Sequence, residues 1–336
     1  MDRLTGSPPA GGEITTATPV PVDRPTATPE PGRRRRPGVR WRDRVTAWLL
    51  IAPALVYFVV FLLYPALAAL YYSFTDWNLR TTPDWVGFAN YADLLFDDVK
   101  YPHFWQSVRV SLQYTIIAVP LTLMAALAQA LLLNTIRRGA NVFRLLLFLP
   151  VVTAEAAVGA IWRWLYDPQY GLINTVIGLV GIPRQNWLNT PELVIPALSF
   201  IAAWQCGISM IIYLAGLKGI PSSIREAAIV DGAGPVQRFW RIVVPMLRPT
   251  TFYLTVTGVI AALQVFGLVY VIFSGGGNRS VTGGPEQSGL TYVLHLYLYA
   301  FRYDAMGAAC AMSFILLVFI MIITALQFKF IKQEAS

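Results

Sequence analysis

The sequence predicts an all-α membrane protein with six transmembrane helices, and two observations carry the prediction. Of 336 residues, 56% are hydrophobic and only 13% charged, against the roughly 25% charge of an ordinary soluble domain. A water-soluble chain of this composition has too little polar surface to cover itself, and its mean hydropathy is +0.54. In addition, five stretches carry no charge at all: 45–75, 110–136, 193–217, 249–278 and 305–328, of 31, 27, 25, 30 and 24 residues. Each exceeds the roughly 20 residues a helix needs to cross a hydrocarbon core. A sixth, 142–165, is apolar except for Arg144, Glu155 and Arg163.

In chain order, residues 1–40 come first and differ in kind. Pro, Thr and Gly dominate and aromatic residues are absent, so this segment reads as a disordered tail ahead of a membrane domain over 41–336. Its four arginines at 33–36 read as a topology signal; contact with anionic lipid headgroups is the alternative. The first apolar run follows Arg42 and Arg44 and ends at Asp76 with no small-residue cleavage site, so it reads as a retained helix. The next runs alternate with basic loops. Arg137, Arg138 and Arg144 follow the second; Lys218, Arg225, Arg238, Arg241 and Arg248 follow the fourth; Lys329 and Lys332 follow the sixth. With the seven arginines at 33–36, 40, 42 and 44, all lie on one side if six helices alternate. The opposite loops carry Asp84, Asp93, Asp97 and Asp98. Positive loops stay in the cytoplasm, so a multi-pass plasma-membrane chain with both termini cytoplasmic is expected. The net charge of +8 is a topology signal and does not point to nucleic acid.

Other chemistries find little footing. The four lysines, Lys100, Lys218, Lys329 and Lys332, sit in no G-x-x-x-x-G-K-[ST] loop, so no ATP site is expected in this chain. Cys206 and Cys310 fall inside apolar runs, which argues against a zinc site or disulfide scaffold. His103 and His295 stand alone and read as loop residues. A secondary transporter would show inverted repeats and ion-binding carboxylates, and a membrane enzyme would show clustered acids, His or Cys. Neither pattern is found.

The long segment 217–249 is too patterned for a linker. Ser223 and Glu226 have the spacing of a capping box, which would start a short helix. Ala227, Ala228, Ile229 and Val230 continue it, and Gly232 is placed to close it in the left-handed conformation. Pro235 suits the first turn of a second helix, with Phe239, Ile242 and Val243 on one face. Pro245 and Pro249 are expected to end it. A stiff helix–turn–helix results.

Glu226-Ala227-Ala228, Asp231-Gly232-Ala233 and Ile242-x-x-Pro245 resemble the EAA loop of bacterial ABC importer permeases. Ser73-Phe74-Thr75-Asp76-Trp77, Val86-Gly87-Phe88-x-Asn90-Tyr91, Phe148-Leu149-Pro150, Ile161-Trp162-Arg163-Trp164, Tyr170-Gly171-Leu172-Ile173-Asn174 and Leu214-Ala215-Gly216-Leu217 resemble the carbohydrate branch, which is similar to the maltose, lactose and glycerol-3-phosphate permeases. The resemblance covers the chain from about residue 45 onward. It implies a type I importer fold with a cytoplasmic EAA coupling helix. It further implies a second permease subunit, two cytoplasmic ATPase subunits that bind ATP and Mg, an extracytoplasmic solute-binding protein and a sugar-like substrate. Glu226, Ala227, Ala228, Asp231 and Gly232 would then form the coupling contact with the ATPase. For Glu226 the alternative is capping alone; for Asp231, a helix-end role.

Polar residues inside membrane spans tend to face a cavity. By the same resemblance, Trp204, Gln205, Thr257 and Gln264 fall near the substrate pathway. Helix–helix hydrogen bonding is the alternative for each, and the partner permease can supply most of the pocket. Glu155, where relatives carry a neutral residue, is expected about 16 Å beyond Arg144 along one helix, lining a water-filled route or protonated against a neighbour. The turn-rich loop after residue 274 and the segment 78–104 are expected to dock the binding protein.

Overall fold

The computed structural model describes residues 41–136, 138–274 and 283–334. The expected tail 1–40 and most of the Gly-rich loop after residue 274 lie outside the described residues. Four helical stretches are long and apolar enough to cross a membrane: Trp48–Tyr72, Phe104–Thr135, Arg248–Ser274 and Met306–Lys329. Two further spans arise when bent pairs are each taken as one. Ala140–Val152 and Glu155–Leu165 bend by 98°, and Pro191–Trp204 and Gly207–Lys218 bend by 52°. Six spans match the number expected, but two of them are broken.

The chain divides into two units, one ending at Val59. In the first, α1 (Trp41–Phe58) exposes Trp48, Leu49 and Leu50, as a helix solvated by lipid does. In the second unit, α2 (Tyr64–Tyr72) runs into a turn, and α3 (Ala89–Phe96) follows. Asn90 locks this turn, donating from Nδ2 to the carbonyls of Ser73 (3.0 Å) and Thr75 (2.9 Å). The central element is α4 (Phe104–Thr135), 32 residues or about 48 Å at 1.5 Å per residue. Its side chains enter all three hydrophobic clusters of the unit. Ala126, Ala130 and Leu133 recur at helical spacing and are buried; small residues let a neighbouring membrane helix approach closely.

Around α4 come α5 (Ala140–Val152), α6 (Glu155–Leu165), α7 (Leu172–Gly178), α8 (Pro191–Trp204) and α9 (Gly207–Lys218). The loop between α7 and α8 is organised by Asn174, only 2% exposed. Its Nδ2 donates to Gln185 O at 2.9 Å, and its Oδ1 accepts from Gln185 N–H and Trp187 Nε1. Then follow α10 (Ser222–Val230), α11 (Pro235–Arg238), a π-helical turn at Phe239–Val243, α12 (Val244–Met246), α13 (Arg248–Leu263), α14 (Gly267–Ser274), α15 (Tyr292–Phe301) and α16 (Met306–Glu334).

The element unforeseen from sequence is α15. Ten residues extend only about 15 Å, too short to span. Thr291 Oγ1 donates to Val265 O in the break before α14 (3.2 Å), Tyr292 N–H donates to Ser111 Oγ (2.7 Å), and His295 Nδ1 lies 3.2 Å from Ser107 Oγ. The Tyr299 ring packs on Tyr101. Contacts at 111, 107 and 101 in turn show that α15 runs antiparallel along the start of α4 and the residues just before it. His295 is therefore a buried helical residue, 3% exposed, and not the loop residue expected.

Candidate functional site

Two sets of residues were singled out by sequence, and the structure treats them differently. In the segment 217–249 the helix–turn–helix is present, with corrections at both ends. Helix α10 begins at Ser222 with Pro221 as its N-cap and no side-chain capping bond. The Ser223–Glu226 capping box does not form, because Pro221 takes the N-cap position two residues earlier and leaves Ser223 inside the helix. Glu226 is exposed and, among the described residues, enters neither of the two ion pairs, Arg80–Asp304 and Lys100–Asp93.

The other end of α10 is as the sequence requires. Gly232 has φ +78°, a conformation that costs L-residues about 1–2 kcal/mol. Its N–H donates to Ile229 O at 3.0 Å, and Ala233 N–H donates to Ala228 O at 2.9 Å. The two bonds together make a complete Schellman cap. Asp231 is the C-cap residue, in line with its helix-end reading. Next, Pro235 occupies the first turn of α11, behind Gly234 as N-cap. Pro245 does not terminate the second helix: the π-helical turn at Phe239–Val243 precedes it, and the widened register accommodates a residue that has no N–H to donate.

This hairpin presents apolar side chains outward. Ile229 is 56% exposed, Val230 87%, Val236 70% and Trp240 64%. Ala227 is exposed as well, whereas Ala228 is buried within the hairpin and holds the cap from inside.

In the membrane-spanning part, Glu155, Gln205 and Gln264 share a feature that the sequence did not disclose: each sits at a helix break. Glu155 is the first residue of α6, straight after the 98° bend. Gln205 is the C-cap of α8 at the 52° bend, its N–H shared between Ile201 O and Ala202 O. Gln264 is the C-cap of α13. Non-helical backbone at membrane depth is tolerated where protein or a polar cavity satisfies it. Here Thr291 Oγ1 serves the carbonyl of Val265.

The bend also overturns the axial placement of Glu155. A single straight helix from Arg144 does not exist, so the 16 Å separation fails. Instead Glu155 reaches across to α14: a Cβ added to Gly267 would lie 1.6 Å from Glu155 Oε2, so the carboxyl occupies space that only glycine leaves open. That joins the break before α6 to the break before α14. Phe266 and Tyr270 stand beside it, the Phe266 ring 5.4 Å from Tyr270 and 5.0 Å from Tyr297 of α15. Phe266 and Tyr297 escaped the sequence reading because an aromatic stripe in an apolar run gives no signal of its own. Trp204 is 39% exposed and meets Trp162 edge-on at 5.5 Å. Thr257 lies seven residues before Gln264, two turns along the same face, but its hydroxyl is bonded to Tyr253 O of its own helix at 2.8 Å.

Residues 99–332 match the family model described as binding-protein-dependent transport system inner membrane component. The chain belongs to this family. It is 38% identical over 290 residues to the probable ABC transporter permease protein YesP of Bacillus subtilis, covering 86% of this chain and 91% of that one. Similarity to the sn-glycerol-3-phosphate transport system permease protein UgpA of Agrobacterium fabrum is 31% identity, covering 87% of this chain and 96% of the relative. A crystal structure of a bacterial ABC transporter involved in import of the acidic polysaccharide alginate superimposes with a TM-score of 0.72 at 21% identity, covering 87% of this chain and 98% of that chain. The fold is thus that of an ABC importer permease, and the chain is a membrane transport component that works with a binding protein.

Proposed function

We propose that the chain forms half of the translocation pore of an importer for a sugar or related polar solute, paired with a second permease, two ATPase subunits and an extracytoplasmic binding protein. The observation that carries the reading is the hairpin over 217–249: a short helix closed by a complete Schellman cap, with Ile229 and Val230 exposed at its tip. An apolar tip on a rigid hairpin suits insertion into a partner cleft, and a lever must not bend. Glu226, Ala227, Asp231 and Gly232 belong to this coupling surface, with Ala228 supporting it from inside. ATP and Mg are held by the ATPase chains. The orientation follows the basic loops, with the hairpin and both termini cytoplasmic in a bacterial plasma membrane, and with residues 1–40 as a tail outside the membrane domain 41–336.

For the substrate, Gln205, Gln264 and Glu155 at the three breaks, with Trp204 and Thr257 nearby, form the pathway. Amides and a carboxylate bind hydroxyls, and the Phe266 and Tyr270 rings offer faces to the apolar side of a pyranose. Relatives named for glycerol phosphate and alginate transport support a hydroxyl-rich substrate. The test is affinity purification of the tagged chain from its own membrane, with mass spectrometry of stoichiometric partners. A second permease and a P-loop ATPase are expected; recovery of this chain alone, active in liposomes without ATP, would refute the reading.

A further inference from the structure

A cavity of about 620 Å³ lies between the start of α4, the start of α8 and the segment before α15. Three charged side chains line it: Arg109 from α4, Glu192 from the first turn of α8, and Glu286. Arg109 pairs with neither carboxylate, since the ion pairs among the described residues are Arg80–Asp304 and Lys100–Asp93. Opposite charges are therefore held apart across one open space. Gln113 and Ser288 line the same cavity, and the Ser288 hydroxyl is buried without a hydrogen-bond partner. The walls are fixed: Gln106 Nε2 donates to Glu286 O at 2.6 Å, and Trp105 Nε1 donates to Leu95 O at 3.2 Å.

All three charged side chains are exposed to this open space, where each is free to take a charged partner, and the charge pattern describes one. An occupant with one anionic and one cationic group satisfies Arg109 and the two glutamates together. The surroundings then choose its class. Below Arg109 and Gln113, the same exposed face of α4 continues as Ile116 (68% exposed), Pro120 and Met124 (62% exposed), an apolar stripe suited to acyl chains. Trp105, 52% exposed, stands at the helix end, where tryptophan favours the headgroup level of a bilayer. A free sugar would leave that stripe uncovered.

We propose that this cavity holds the headgroup of a phosphatidylethanolamine-class phospholipid, its phosphodiester on Arg109 and Gln113 and its ammonium on Glu192 and Glu286. A planar guanidinium is well matched to a phosphodiester, and carboxylates accept from a primary ammonium as they cannot from glycerol hydroxyls with equal strength. With the orientation proposed above, the lipid belongs to the outer leaflet; the site itself does not depend on that orientation.

The test uses the full chain in its assembled complex, reconstituted in nanodiscs of dioleoyl phosphatidylethanolamine mixed equally with dioleoyl phosphatidylglycerol, then released into mild detergent for native mass spectrometry. The wild type is expected to retain one phosphatidylethanolamine in preference to phosphatidylglycerol. R109Q is expected to lower the retained phosphatidylethanolamine about tenfold, the effect of losing one charge-assisted pair. The double change E192Q/E286Q is expected to erase the preference between the two lipids while lipid is still retained. Absence of any preference in the wild type overturns the proposal, as does a preference unchanged in E192Q/E286Q, a variant that decides the matter even if R109Q fails to assemble. Q113C cross-linking to another protein chain overturns it too, because the cavity is then a subunit interface.

Discussion

Replacing Gly232 isolates the lever from everything else in the molecule. A Cβ at this position would meet nothing within 4 Å, so a substitution perturbs backbone conformation alone. Alanine must hold φ near +78° at a cost of about 1–2 kcal/mol, partly offset by a less flexible unfolded chain. Asparagine tolerates the left-handed region and costs less. Proline fixes φ near −65° and removes the N–H that bonds Ile229 O, with a loss of about 3 kcal/mol or more. If the hairpin must be formed to engage the ATPase, a penalty of about 1 kcal/mol weakens that engagement about fivefold. The assay is ATPase stimulation by loaded binding protein in reconstituted complexes, titrated with the ATPase subunit. The expected order is wild type, then G232N, G232A and G232P, with pore assembly preserved. Wild-type stimulation in G232P would refute the reasoning.

Further outcomes follow from the breaks and the packing. G267A should displace the Glu155 carboxyl and lower transport as E155A does, with the double mutant no worse than either single one, measured by uptake in proteoliposomes. Q264L should reduce uptake while leaving substrate affinity of the binding protein unchanged, whereas T257V should change uptake less than about twofold because Thr257 is bonded within its own helix. N174A should lower the unfolding temperature of the purified complex, since it removes several buried hydrogen bonds and costs about 2–3 kcal/mol. G207A should destabilise as well, by about 1–3 kcal/mol, because its Cβ would fall 3.0 Å from the Leu147 carbonyl.

The spans and the cap were legible because they depend on chain-local physics. An uncharged run of 24 residues or more has one outcome in a bilayer, and a glycine after an apolar helical run has one common use. The breaks were less legible, since they depend on partners far along the chain. Gln205 and Gln264 stood out as polar residues, but it takes Thr291, serving the Val265 carbonyl, to show why the helix can open beside Gln264. Glu155 was conspicuous, yet its neighbour Gly267 is 112 residues away. The capping box failed for a local reason, Pro221 having the stronger hold on the helix start. Pro245 misled because a π-helical turn relieves the bond that proline breaks. And α15 was missed because ten residues cannot span, so hydropathy measured by span length passes over it.

The direct measurement of coupling is cysteine cross-linking in native membranes at Val230, 87% exposed at the hairpin tip, compared with Val99, 93% exposed on the segment between α3 and α4. V230C should cross-link to a chain that carries a P-loop, in a yield that changes with nucleotide, and V99C should not. A V230C that cross-links to no ATPase, or a V99C that does, would contradict both the lever and the orientation on which it rests.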